Sequence, residues 1–149
     1  TLLSMIGLFN IFGTLTSGYL SSKIPKKLVL SFIYFMRGIV IALFIFLPSS
    51  PTLAVLFGIF FGFLWLATVP PTAGIVSSIF GTKYMGLLYG IVFLSHQIGS
   101  FFGAYLGGVF KEVYGSYDYA WYISIALSIF AGLIHLPIKE KQVKRLQIA

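Results

Sequence analysis

The chain has 149 residues, 58% of them hydrophobic and only 9% charged, with a net charge of +7 and a mean hydropathy of +1.00. A soluble domain carries about 25% charged residues, so this composition reads as an integral membrane protein or a piece of one. The basic residues fall between apolar blocks and at the C-terminus, which excludes a nucleic-acid face, and the absence of cysteine excludes disulfides, thiol catalysis and cysteine-held metals.

A bilayer core about 30 Å thick needs about 20 residues of apolar helix. The first block of that length runs from Thr1 to Leu20. It begins inside an apolar run with no basic lead, which reads as a truncated start rather than a signal peptide. The loop SSKIPKK follows, with Lys23, Lys26 and Lys27. The second span, Leu28 to Leu47, carries Arg37 near its middle. A charge at that depth costs at least about 2.5 kcal/mol unless it is paired or hydrated. No acid lies within any span. The partner of Arg37 is therefore a backbone carbonyl, an acid elsewhere in the polypeptide, or an anionic substrate.

The uncharged loop PSSP leads to a third span over 52–80, with Gly58, Gly62, Trp65, Thr68, Pro70 and Pro71. Consecutive prolines free the carbonyls of Leu66 and Ala67 and predict a kink at 70–71. Freed carbonyls beside a cavity are common in transporters, and a plain packing bend accounts for the same residues. Trp65 either stacks on a substrate or packs. Gly58 and Gly62 are expected at a helix contact.

The fourth span, Tyr84 to Phe110, follows a loop with Lys83 and holds His96 and Gln97 inside an apolar run. A helical residue turns the chain by about 100°, so His96, Gly99, Gly103 and Gly107 share one narrow face. Small residues at this spacing let another backbone approach, so the face is expected to meet protein. Ionisable residues within a membrane default to a functional reading, and histidine as a type titrates near neutrality. A proton relay or substrate ligand at His96 stands beside a simple hydrogen-bonded pin. Gln97 has the same two readings. Tyr114, Tyr117 and Tyr119 suit an interfacial belt. The fifth span, Tyr119 to Leu136, is followed by a basic tail over 137–149 with Lys139, Lys141, Lys144 and Arg145.

The expected fold is an all-α membrane protein of five transmembrane helices, since backbone groups in lipid must bond within their own segment. The alternation of a barrel strand is absent. Lys23, Lys26, Lys27, Lys83, Lys139, Lys141, Lys144 and Arg145 lie on one side and only Lys111 on the other. The positive-inside rule then places the first loop, the Lys83 loop and the C-terminus in the cytoplasm. No metal triad, Walker loop, nucleotide fingerprint or Ser-His-Asp set is present, so no cofactor and no enzyme activity are expected.

The segment GYLSSKIPKK, Gly18 to Lys27, resembles the signature loop of the major facilitator superfamily through Gly18, Leu20, Lys23, Lys26 and Lys27. Ser22 stands where that loop has an acid, and Pro25 where it has a second glycine. FGTKYMGLLYG, the glycine-rich helix and GGVFKEVYGSYDYAWYISIAL are similar to helices eleven and twelve of bacterial carriers near the monocarboxylate and oxalate–formate group. The resemblance implies helices eight to twelve of a twelve-helix fold, with an N-terminal half on the rest of the polypeptide. It implies a secondary carrier in a bacterial inner (plasma) membrane that rocks between two access states. The third and fourth spans would line or flank the path, which favours His96, Gln97, Trp65 and Thr68 as ligands over Arg37. A small organic anion is the expected substrate, with proton coupling through His96, as symport or antiport. The alternative is a non-transporting membrane subunit assembled through its glycine faces.

Overall fold

The computed structural model describes residues 2–143 and folds them into six helices: α1 (Leu2–Lys23), α2 (Lys26–Phe46), α3 (Pro51–Trp65), α4 (Val69–Phe80), α5 (Met85–Tyr114) and α6 (Asp118–His135). Among the described residues there is no strand. Helices α3 and α4 are two halves of one apolar span, Pro51–Phe80, so five spans are long and apolar enough to cross a membrane. The basic tail expected over 137–149 is described as far as Val143; Lys144 and Arg145 lie outside the described residues.

Local chemistry sets the ends of these helices. Pro25, with no N–H and a ring that blocks helical continuation, separates α1 from α2. Leu47 precedes Pro48 and takes the extended conformation (φ −87°, ψ 152°) that a following proline enforces, which stops α2. Ser50 then caps α3 by accepting a 3.0 Å hydrogen bond from the Leu53 N–H, with Pro51 in the first turn. Gly115 ends α5 in the left-handed conformation at φ 72°, its N–H donating to the Lys111 carbonyl at 3.0 Å.

Packing joins α1 along α3 and α2 along α6, and α2 also meets α3 and α4. The core lies where these pairs meet, at Val29, Ile33, Leu64 and Ala67, with Met36, Val40 and Phe63 against it. Glycine and serine make the close approaches. A Cβ on Gly62 would stand 2.6 Å from the Ile6 Cα, and one on Gly13 would collide with the Phe63 carbonyl. Gly38 faces Ser128 across α2 and α6, and Gly132 lies under the Phe35 ring. Where lipid is the solvent, such close contact supplies the attraction that water supplies to a soluble core.

Helix α5 is different. It has no buried residue and meets only the two helices that adjoin it in sequence, α4 and α6, to any extent. Its 30 residues span about 45 Å, longer than a bilayer core.

Candidate functional site

The third span does not kink at its prolines. It breaks at Leu66–Thr68, and Pro70 and Pro71 sit in the first turn of α4, where a missing N–H is harmless. The expected kink at 70–71 is therefore displaced toward the N-terminus. Proline at position i clashes with the turn before it, so the chain leaves the helix ahead of the pair and re-enters at Val69. The Val69 N–H closes a tight turn onto the Leu66 carbonyl at 3.0 Å.

Two side chains from other helices hold the break. Arg37 of α2 donates through Nη2 to the carbonyls of Leu64 at 2.6 Å and Trp65 at 2.9 Å. Asn10 of α1 accepts at 2.9 Å from the Leu66 N–H. Both carbonyls that Arg37 reaches have lost their helical donors to the break, two residues before the Leu66 and Ala67 carbonyls that the prolines pointed to. Of the three partners open to Arg37 from sequence, the carbonyls are the ones it meets here. Its guanidinium also lies 5.3 Å from the centre of the Tyr34 ring, a cation–π distance. Its Nε is buried without a hydrogen-bond partner.

Beside the break is an open groove of about 420 Å³ between α2, α3 and α6. Tyr34, Arg37, Trp65, Ser124, Ser128 and Phe130 are among its lining residues. Trp65 is half exposed there, against Phe61 at 5.0 Å between ring centres. On the other side of the break, Gly13, Ser17, Leu20, Val29, Phe32 and Leu64 border an almost wholly apolar cavity of about 90 Å³. The break thus has a mixed groove on one flank and an apolar pocket on the other.

The other residues singled out from the sequence lie elsewhere. Thr68 is inside the break, but its hydroxyl caps nothing, and its carbonyl accepts both the N–H and the hydroxyl of Thr72, at 3.1 and 2.7 Å. His96 and Gln97 are exposed on α5. His96 stacks on Phe93 with ring centres 6.0 Å apart, and its carbonyl accepts from the Ser100 hydroxyl. Gly99, Gly103 and Gly107 have nothing within 4 Å of where a Cβ would stand, so among the described residues no helix fills the notched face. Gly58 and Gly62, in contrast, lie against α1. In the loop, Gly18 neighbours Pro70, Lys23 lies over the Tyr19 ring at 5.8 Å, and Lys26 and Lys27 meet the tail after α6.

Asn10 escaped the sequence reading. The signal was present: one amide inside the apolar run of the first span, which in lipid must find a partner. Gly13 escaped too, because no second glycine four residues away marked it.

The sequence profile of the Major Facilitator Superfamily matches residues 1–147. A curated relative, the uncharacterized MFS-type transporter YcxA of Bacillus subtilis (strain 168), is 29% identical over 150 aligned residues. The alignment covers 95% of this chain and 36% of the relative, so the chain spans about a third of that protein's length. No solved structure matches.

Proposed function

The chain belongs to the major facilitator superfamily, and from that premise we propose that it is helices eight to twelve, the C-terminal half, of a carrier for a small organic anion. The observation that carries the reading is the broken span at Leu66–Thr68, held by Arg37 and Asn10 and flanked by a groove. Discontinuous helices with loose backbone groups form substrate and ion sites in secondary transporters, and access alternates as one bundle rocks against the other around that site. An anion suits this place because Arg37 is cationic and no described acid lines the groove. Trp65 and Tyr34 supply aromatic faces, and Ser124 and Ser128 supply hydroxyls.

In this reading the remaining, N-terminal part of the polypeptide closes the path opposite α5. His96 and Gln97 then face the path from the glycine-notched side of α5, and His96 carries the coupled proton. The end of the bundle that bears Lys23, Lys26, Lys27, Lys83 and the tail faces the cytoplasm of a bacterial inner membrane. The sequence likeness to monocarboxylate and oxalate–formate carriers supports a carboxylate as the solute.

The test is uptake of labelled lactate, acetate and oxalate by the whole natural polypeptide in proteoliposomes, with an imposed proton gradient or none. Saturable uptake of one of them, suppressed by unlabelled competitor, is the expected result. Uptake of neutral or cationic solutes instead would remove the anion from the reading. A non-transporting subunit, assembled through the α5 glycines, would move no solute of any class.

A further inference from the structure

At the basic end of the bundle, the segment after α6 folds back over three helices. Glu140 accepts at 2.7 Å, through Oε1, from the backbone N–H of Lys27 in the first turn of α2. Its other oxygen lies 3.8 Å from the Lys26 ammonium. Lys27 donates from Nζ to the Leu136 carbonyl at the end of α6, at 3.0 Å. Three residues past Glu140, the Val143 N–H donates to the Ile79 carbonyl in the last turn of α4, at 3.0 Å. Lys26 itself lies across α4, because a Cβ on Gly74 would stand 2.7 Å from its Cδ.

The sequence explains why a distant carboxylate is needed. Helix α2 starts after Pro25, which has no side-chain acceptor, and no side chain of its own caps it. Its first turn holds two lysines and no acid, a poor match to the positive end of a helix dipole. Ser22 gives its hydroxyl to the Tyr19 carbonyl and offers nothing to the turn. Glu140 supplies both the missing cap and the missing charge from 113 residues away.

We infer that Lys139–Val143 is a clasp that ties α4 to α2 and α6 and holds this end of the bundle closed. The break at Leu66–Thr68 is what gives the clasp a purpose. It leaves α4 a short lever of 12 residues, joined to α3 by a turn rather than by helix. Val143 grips the far end of that lever at Ile79, and Lys26 lies across its middle at Gly74. Releasing Glu140 frees Lys26 from its ion pair and α2 from its cap together, which loosens the contact across Gly74 and leaves the lever held at Ile79 by Val143. The role of the clasp in access rests on the carrier reading above; the clasp itself does not.

Two measurements on the whole polypeptide in native membranes, freed of other cysteines, separate those claims. The first is oxidative cross-linking of an Ile79→Cys, Val143→Cys pair. It is expected to form readily and to slow when Glu140→Ala is added. Absence of the cross-link with Glu140 present would overturn the clasp. The second is alkylation of a lone cysteine at Val76→Cys, a buried position on α4. Its rate should rise about five-fold with Glu140→Ala, the effect of losing one helix cap. It should stay near its starting value with Glu140→Gln, whose amide oxygen can still accept from the Lys27 N–H. An unchanged rate in Glu140→Ala would show that the segment does not restrain α4. Where uptake is measurable, forming the Ile79–Val143 disulfide should stop it and reduction should restore it. Continued uptake with the disulfide formed would refute the gating role while leaving the carrier reading intact.

Discussion

Arg37 has one nitrogen on two carbonyls and an Nε with no partner. Those bonds make it a support for the broken span before it is anything else. Replacing it with methionine keeps the apolar stem and removes the donor, leaving the Leu64 and Trp65 carbonyls unsatisfied. The expected loss is about 1–3 kcal/mol, read as a lower melting temperature of the purified protein. Arg37→Lys should recover part of it, since an ammonium reaches one carbonyl but lacks the planar fork. If Arg37→Lys retains stability yet fails to move anions, the guanidinium has a substrate role beyond the support. His96 belongs to a different test. His96→Gln should leave the protein folded and uptake present, but insensitive to an imposed proton gradient. An unchanged response to the gradient would take the proton away from His96.

At the scale of elements, the crossing of α1 over α3 makes a prediction that two glycines share unequally. A methyl at Gly62 meets the Ile6 backbone, at 2.6 Å from Cα and 2.7 Å from the carbonyl oxygen, and backbone cannot step aside. A methyl at Gly58 meets the tip of the Leu2 side chain at 2.7 Å, which can rotate away. Gly62→Ala should therefore cost roughly 1–3 kcal/mol, the usual range for overpacking, and Gly58→Ala much less. Equal melting temperatures for the two variants would contradict the crossing. These elements also show what could be read in advance. Block length and hydropathy gave five spans because the bilayer sets a minimum apolar length for every crossing helix. Pro70 and Pro71 announced a break, but not its place. That depends on a compromise between proline sterics and the donors and acceptors that Arg37 and Asn10 bring from helices 27 and 56 residues away. A longer separation, 113 residues, hid the partner of Glu140. Charge spacing in a sequence says nothing about which helix end a tail will cover.

For the molecule as a whole, alternate loops must lie on opposite faces of the membrane. The PSSP turn at 48–51 and the Gly115–Tyr117 turn share one side, and the Ile24–Pro25 and Gly81–Tyr84 turns the other. A cysteine at Ser49 should react with a membrane-impermeant maleimide added outside intact cells, whereas one at Thr82 should react only after permeabilisation. The reverse pattern would invert the orientation drawn from the lysines. The Arg37 bonds also carry a consequence for synthesis. Helix α2 emerges from the ribosome with a buried cation and no acid, and its carbonyl partners are made 27 and 28 residues later. At about 5–20 residues per second that is a wait of roughly one to five seconds. During it, α2 alone bears the insertion penalty of its arginine. The second span should therefore leave the translocation channel poorly by itself and well when α3 follows, so that the two enter the bilayer as a hairpin.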